Sequence, residues 1–75
     1  MRLSELQKKD IVNINNGIKI GNIIDVNVSE NGYISSLIAD RTNFKFIFSS
    51  NDEIEITFDQ IVKIGEDVIL VKSND

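Results

Sequence analysis

Residues 11–26 read IVNINNGIKIGNIIDV, and this stretch decides the fold class of the chain. Branched apolar residues alternate with polar ones, which is the period of a half-buried β-strand. The pair Asn16-Gly17 interrupts the alternation, and Asn31-Gly32 does the same further along. Asn-Gly between two alternating segments is a strong short-range sign of a β-hairpin with a type I′ turn. The stretch therefore predicts a small antiparallel β-meander.

The alternation continues along most of the chain and predicts an all-β domain of about six antiparallel strands. The first strand is expected over residues 11–15, and a long second strand over residues 18–28. Gly21 lies inside the second strand, and a glycine there indicates a bulge or a sharp bend that lets a short sheet curl toward a barrel. Further strands are expected over residues 33–39, 44–48, 53–58, 61–64 and 68–71.

The two ends of the chain carry weaker signals. Ser4-Glu5-Leu6-Gln7 fits a capping box and predicts one short helical turn, with Leu3 and Leu6 tucked under the sheet. Residues 72–75 are expected to fray. Residues 1–75 are predicted to form a single domain, because the chain is too short for two.

The size and composition of the chain limit what can stabilise it. It has 75 residues, no Cys and no His, so a disulfide and a structural zinc site are excluded. Small domains have small free energies of unfolding and often need a disulfide, a bound metal or a partner chain. Either the β-core suffices alone, or the chain buries apolar surface against a copy of itself. We expect a homodimer.

The charge balance argues against nucleic-acid binding. Eight Lys and Arg face twelve Asp and Glu, for a formal net charge of −4, whereas phosphate binding needs clustered bases. An acidic domain of this kind could still dock on a basic protein surface. No apolar run approaches the roughly 20 residues that span a bilayer, so no membrane insertion is expected. The N-terminus lacks the apolar region of a signal peptide, and we expect a cytoplasmic location.

The residues that usually carry catalysis are missing from the sequence. Without His or Cys, the common pairs of nucleophile and base are unavailable. No Ser lies in a G-x-S-x-G or S-x-x-K arrangement. We therefore expect no enzyme activity, no catalytic residues and no cofactor.

Three charged features each have two interpretations. The acidic stretch of Asp52, Glu53, Glu55 and Asp59 could bind a hard cation or form a solvated strand edge, and we favour the edge and expect no metal site. Asp25 in the long strand could contact a ligand or partner, but we expect it to point outward or to accept a local hydrogen bond. The basic end, made of Arg2, Lys8 and Lys9, is expected to be a solvated terminus.

One aromatic stripe is the candidate for self-association. Phe44, Phe46 and Phe48 alternate with Lys45 and Ile47. In one interpretation, all three rings line the barrel interior. In the other, part of the stripe, or Ile47 on its reverse face, forms a self-association patch. Interior space is limited, because many other apolar residues compete for it: Ile11, Ile14, Ile20, Ile24, Val26, Leu37, Ile54, Ile56 and Ile64.

Several segments in order resemble a known family. They are Leu3-Ser4-Glu5-Leu6, Val12, Gly17-x-x-Ile20-Gly21-x-Ile23-x-Asp25, Gly32-x-Ile34 and the closing IVKIGEDVILV of residues 61–71. This pattern is similar to the PRC-barrel domain, which also forms the C-terminal domain of the ribosome-maturation factor RimM. The short form resembles the YlmC/YmxH family of sporulation proteins. Members often carry Pro-Trp where this chain has Thr57-Phe58, and Phe58 is expected to plug the barrel end instead.

The resemblance implies a small cytoplasmic β-barrel with a link to sporulation or cell division, and it carries over no catalytic or cofactor residue. Together with the missing catalytic residues, it favours a non-enzymatic module for protein–protein interaction or scaffolding, with an unknown protein partner. Two alternatives stay open. One is a RimM-like, ribosome-associated accessory domain that contacts a ribosomal protein, and the other is a domain that binds a small ligand or a metal.

Overall fold

A computed structural model of the chain describes residues 1–40 and 53–72. These residues form one α-helix of a single turn, seven strands and one short 3-10 helix, so the predicted all-β class is confirmed. In chain order the elements are α1 (Leu3–Gln7), β1 (Asp10–Asn13), β2 (Lys19–Gly21), β3 (Ile23–Val28), β4 (Ile34–Asp40), β5 (Glu53–Thr57), the 3-10 helix (Phe58–Gln60), β6 (Ile61–Ile64) and β7 (Val68–Val71).

The strands form two sheets, with the orders β2-β1-β7-β6 and β3-β4-β5. Neighbouring strands are antiparallel except β1 and β7, which pair in parallel from Asp10 opposite Val68 to Asn13 opposite Val71. The prediction of antiparallel strands throughout is therefore wrong at this pair. Hairpin turns impose antiparallel pairing only on strands that they join, whereas β1 and β7 come from opposite ends of the domain.

The predicted long strand over residues 18–28 is divided between the two sheets. β2 ends at Gly21, and β3 begins at Ile23 on the other sheet. Between them, the Asn22 N–H donates to Asp40 Oδ1 at 3.0 Å, and the Asp40 N–H donates to the Asn22 carbonyl at 3.1 Å. The bend expected at Gly21 is thus the point where the chain passes from one sheet to the other.

Both Asn-Gly pairs lie in turns, but neither turn is of type I′. Gly17 and Gly32 have φ of +71° and +87°, while a type I′ turn needs positive φ at the preceding Asn as well, and neither Asn has it. The Gly32 N–H donates to the Ser29 carbonyl and the Ser29 N–H to the Tyr33 carbonyl, at 2.9 and 2.7 Å. This is a three-residue loop that ends in a left-handed glycine.

The turn at Gly17 is wider, because asparagine side chains organise it. The Gly17 N–H donates to the Asn13 carbonyl at 2.7 Å, which closes a turn of one residue more than a β-turn. Asn13 Oδ1 accepts the N–H of Asn15, and Asn16 Oδ1 accepts the N–H of Ile18, both at 2.9 Å. Such local side-chain bonds compete with the tight two-residue turn and explain why it does not form.

The N-terminal helix has the predicted single turn but a different start. Arg2, not Ser4, is the residue before the first helical position, and the Glu5 carboxylate accepts the Arg2 N–H at 3.1 Å. Leu6 packs against the core, as expected, whereas Leu3 is 40% exposed. One turn offers room for one core-facing leucine, so only half of the predicted packing is present.

The core lies between the two sheets. Within the described parts of the chain, its buried apolar members are Ile11, Ile23, Leu37, Ala39, Ile56, Ile69 and Val71. Ile20, Val26 and Ile54 pack against this cluster, as predicted. Ile14, Ile24 and Ile64 were also expected inside but are 44%, 41% and 39% exposed. Ile24 lies in a bulge between Ile23 and Asp25, which interrupts the alternation that would have turned it inward.

Candidate interaction surface

The core-facing side of the three-stranded sheet carries apolar residues in rows that run across β3, β4 and β5. Two rows are joined in register, with Ile23, Ala39 and Ile54 in the first and Val26, Leu37 and Ile56 in the second. All six residues belong to the core cluster or pack against it. These two rows show how far the core extends along the sheet.

A third apolar row follows beyond the core, and it is exposed. Val28 lies two residues after Val26 on β3 and pairs with Ile34 of β4. Phe58 lies two residues after Ile56, in the 3-10 helix that contacts β4. The side chains of Val28, Ile34 and Phe58 are 60%, 42% and 50% exposed, and we call these three residues the terminal row. Because strand residues two apart share a face, Val28 continues the face of Val26 past the point where the core ends.

The hairpin loop between β3 and β4 carries an exposed aromatic residue next to Ile34 in the chain. Tyr33 directly precedes Ile34 and is 74% exposed. Its N–H donates to Ser29 Oγ at 3.2 Å and its carbonyl accepts the Ser29 N–H, so the backbone that carries the ring is held on both sides. An exposed aromatic ring on a bonded backbone can enter a contact with little loss of backbone entropy.

Acidic residues flank the terminal row. Glu30 lies in the hairpin loop, and Asp59 follows Phe58 directly; both are exposed. The Asp59 carboxylate accepts a hydrogen bond from the Thr57 hydroxyl. Exposed apolar side chains with charged neighbours are typical of protein-interaction sites.

The opposite face of the same sheet carries a polar cluster across all three strands. Asn27 Nδ2 donates to Ser36 Oγ and to Glu55 Oε2, both at 2.9 Å, and the Ser36 hydroxyl donates to the same Glu55 oxygen at 2.6 Å. Ser36 is only 2% exposed, although it lies on the outer face. The hydrogen bonds among these three side chains link β3, β4 and β5. The Ser36 hydroxyl proton is used in its bond to Glu55.

A second polar network joins the two sheets. Asn22 Nδ2 donates to the Lys9 carbonyl at 3.0 Å and to Asp10 Oδ1 at 3.2 Å. Asp10 also forms an ion pair with Lys19, with 3.0 Å between Oδ1 and Nζ. The hydrogen bond from Lys19, and after it the one from Asn22, hold the pKa of the Asp10 carboxyl below its ordinary value. This network fixes the crossover between the sheets.

Lys9 contradicts the prediction of a solvated basic end. Its side chain is only 9% exposed, and Nζ donates to the carbonyls of Gly65 and Glu66 at 2.7 and 2.5 Å. These two hydrogen bonds connect the turn between β6 and β7 to the start of β1. Arg2 and Lys8 are exposed, as predicted. Only the tertiary contact with residues far along the chain distinguishes Lys9 from Lys8.

Asp25 agrees with the interpretation that we favoured, whereas the acidic stretch is described only in part. Asp25 is exposed, and its Oδ1 accepts the N–H of Val26 at 2.8 Å. Glu53 and Glu55 are exposed on β5, while Asp52 lies outside the described residues. Within residues 1–40 and 53–72, no group of three or more His, Cys, Asp or Glu is arranged to hold a metal ion.

The aromatic predictions have two different outcomes. Phe44, Phe46, Ile47 and Phe48 lie outside the described residues, so the choice between core and interface for this stripe stays a prediction. Phe58 does not plug the barrel end, because half of its surface is exposed. The strand ends at Thr57 and the 3-10 helix begins at Phe58, so the ring lies beyond the last core row.

The terminal row was missed by reasoning from sequence. Val28 and Phe58 lie two residues after the core-facing Val26 and Ile56, and nothing local marks the place where the buried rows end. Ile34 lies three residues before Leu37, so strict alternation would turn it outward, and only the register shift after Asn27 pairs it with Val28. Tyr33 after Asn-Gly carried the available signal, because a large ring directly beside a hairpin turn is far from the middle of any strand.

Comparisons with known proteins place the chain in a family. A family model for the PRC-barrel domain matches residues 1–75. The chain is 42% identical over 72 residues to a protein of Bacillus subtilis named "Probable sporulation protein YlmC", which covers 93% of this chain and 89% of that protein. It is 33% identical over 73 residues to an uncharacterized protein of Clostridium acetobutylicum, and the match covers 96% of this chain and 84% of that protein.

In the described part of the chain, no helix has the length and apolar character needed to cross a bilayer. The match to the family model over the whole chain agrees with the resemblance noted in the sequence. The chain belongs to the PRC-barrel domain family.

Proposed function

We propose that this domain is a non-enzymatic protein-interaction module, located in the cytoplasm and linked to sporulation or cell division. The observation that carries the proposal is the terminal row, whose three apolar side chains are 42% to 60% exposed beside a well-ordered hairpin. Apolar surface of this kind is stabilised by contact with a partner. The name of the Bacillus subtilis relative supports the link to sporulation, and the family supports binding over catalysis.

The module is also proposed to form a homodimer. A domain of this size buries a limited apolar area, and additional burial against a second copy would add to its stability. Light scattering after size exclusion, at chain concentrations from about 1 to about 100 μM, tests this point, because dimers of useful affinity form in that range. A strict monomer at the highest concentration would contradict the homodimer. It would not affect the proposed interaction with a different protein.

Affinity capture from cells that express the chain natively tests the interaction function. The wild type is compared with Val28→Ser combined with Tyr33→Ser, which removes apolar surface from the terminal row and the hairpin. Val62→Ser is the matched control, because Val62 is 53% exposed on β6 of the other sheet. Exposed substitutions of this kind change the free energy of unfolding by about 0.5 kcal/mol or less, so all three proteins stay folded.

Proteins captured by the wild type and the Val62 variant, but lost with the double variant, are the expected result. Equal capture by all three forms, or capture of nothing above background, would overturn the proposed function.

A further inference from the structure

The charges of the described residues are unevenly divided between the two sheets. Residues 22–40 and 53–60, which form the three-stranded sheet, the hairpin between β3 and β4 and the 3-10 helix, contain six acidic residues and no Lys or Arg. These acids are Asp25, Glu30, Asp40, Glu53, Glu55 and Asp59. The connection over residues 41–52, which contains Arg41, Lys45 and Asp52, lies outside the described residues. The remaining described residues carry the bases, namely Arg2, Lys8, Lys9, Lys19, Lys63 and Lys72. The terminal row therefore belongs to the acidic half of the molecule.

Two bases lie on segments that contact the elements of the terminal row. Lys72 lies at the end of β7, and its backbone N–H donates to the Gln60 carbonyl at 2.9 Å. Arg2 caps the helix α1, which packs against β3. Glu30 and Asp59, by contrast, lie in the hairpin loop and beside Phe58 themselves. In the chain, Glu30 and Asp59 are the charged residues nearest to Val28 and Phe58.

We propose, building on the interaction function above, that the terminal row docks a basic, amphipathic segment of a partner protein. Its apolar side chains would cover Val28, Ile34 and Phe58, and its Lys or Arg residues would face Glu30 and Asp59. Opposite charges at the rim raise the association rate and exclude acidic competitors, while the apolar centre supplies most of the affinity.

A second copy of the chain fits this surface poorly. A two-fold symmetric contact places the same patch on both sides, so the acidic pair Glu30 and Asp59 would be present on both faces of the contact with no base of the patch to oppose it. Like charges held together at an interface are destabilising. A head-to-tail contact with the basic half of another copy does not close and would build open chains. The homodimer proposed above therefore uses a different surface.

The recognition is carried by side chains, since strand addition along β3 is obstructed. β3 is an edge strand of its sheet, but the N–H of Val26 is already bonded to Asp25 Oδ1, and α1 packs on the strand. Bulges between Ile23 and Asp25 and between Asn27 and Val28 further distort the edge. Irregular edges of this kind resist pairing with another chain.

Site-specific photo-crosslinking in native cells tests the proposal. A benzophenone amino acid replaces Tyr33, which is 74% exposed beside the row, and in the control it replaces Val62 on the other sheet. Mass spectrometry then identifies the sequence of each crosslinked segment. Glu30→Gln combined with Asp59→Asn removes the proposed ionic contacts, and Glu66→Gln is the matched charge control, because Glu66 is exposed in the turn between β6 and β7.

The expected crosslinks from position 33 fall in partner segments that combine several Lys or Arg with apolar residues. Their yield should fall at least about threefold between about 50 and about 300 mM salt, because rim charges are screened over that range. The Glu30/Asp59 variant should lower the yield similarly at low salt, and the Glu66 variant should not.

Each other outcome overturns a defined part of the idea. Crosslinks to neutral or acidic partner segments, or yields that do not respond to salt, overturn the basic partner and leave the interaction function standing. Crosslinks between two copies of this chain overturn the basic partner in favour of self-association. No crosslinked protein above the Val62 control overturns both this proposal and the proposed function.

Discussion

A β-carbon placed on Gly21 would lie 1.6 Å from the carbonyl oxygen of Asp40. The two residues belong to different sheets, with Gly21 at the end of β2 and Asp40 at the end of β4. Their close approach lets the backbone of Asn22 exchange hydrogen bonds with Asp40 as the chain crosses over. Because Gly21 has no β-carbon, the two backbones come close enough for these hydrogen bonds to join the two sheets.

Gly21→Ala is therefore expected to destabilise the domain by about 3 kcal/mol or more, because the obstacle is backbone and cannot rotate away. Urea unfolding measures the change. Gly65→Ala is the control, since a β-carbon there would meet its nearest atom at 3.4 Å, close to an ordinary contact. A Gly21 variant as stable as the Gly65 variant would show that the two sheets are not this close.

Lys9→Met is expected to cost about 1–3 kcal/mol, although it exchanges a charged side chain for an apolar one of similar length. The carbonyls of Gly65 and Glu66 would lose the donor that now lies 2.7 and 2.5 Å away. For a domain of this size, each kcal/mol lowers Tm by about 4–8 °C. Lys8→Met changes the exposed neighbour and should leave Tm nearly unchanged. Equal effects at both positions would contradict the buried role of Lys9.

Asp10 should give the domain an acid-sensitive component of stability. Hydrogen bonds from Lys19 and Asn22 lower its pKa in the folded state below 3.8, the ordinary value. Because the folded pKa is depressed, the contribution is fully present above 3.8 and is lost as the pH falls through the folded pKa. The difference in unfolding free energy between wild type and Asp10→Asn should therefore shrink below that value.

Unfolding in urea at several pH values, with an NMR titration of the Asp10 carboxyl, checks this expectation. The ion pair is partly exposed, with 42% and 49% of the Lys19 and Asp10 side chains accessible, so added salt should move the titration toward the ordinary value. A midpoint at or above 3.8 at low salt would contradict the network described here.

The boundary between the second row and the terminal row predicts two unequal truncations. Leu37 is 2% exposed and Ile34 is 42% exposed, although both lie on β4. Leu37→Ala should cost about 2–5 kcal/mol, as is usual in a packed core, because it leaves a cavity. Ile34→Ala should cost about 1 kcal/mol or less, because water already reaches that side chain. Similar losses in urea unfolding would place Ile34 in the core.

Much of the strand pattern could be predicted from local sequence. The alternation in Glu53–Thr57 and the apolar run Val68–Val71 yield strands at the expected positions. The predictions went wrong where the outcome depends on distant residues. Asn16 and Asn31 carry no sign of the wider loops they enter, and β1 carries no sign that β7 will lie beside it in parallel.

The candidate site shows the same division more sharply. Val28 and Phe58 continue the alternation of core residues, yet both are exposed in the folded domain. Ile34 pairs with Val28 through a register shift that strict alternation does not predict. Lys9 and Lys8 are adjacent and chemically identical, yet only Lys9 reaches the carbonyls across the domain. The acidic character of residues 22–40 and 53–60 is visible in the sequence, whereas the pairing of their strands in one sheet is not.

The sequence by itself determined the all-β class, the positions of the turns, the bend at Gly21 and the family of the chain. These features depend on side-chain period, on left-handed backbone at glycine and on the order of short motifs, which are local properties. Tertiary structure alone decided the sheet partners, the parallel pair β1–β7 and the limit of the core. Burial depends on which surfaces meet in space, and paired residues such as Asp10 and Val68 are 58 positions apart in the chain.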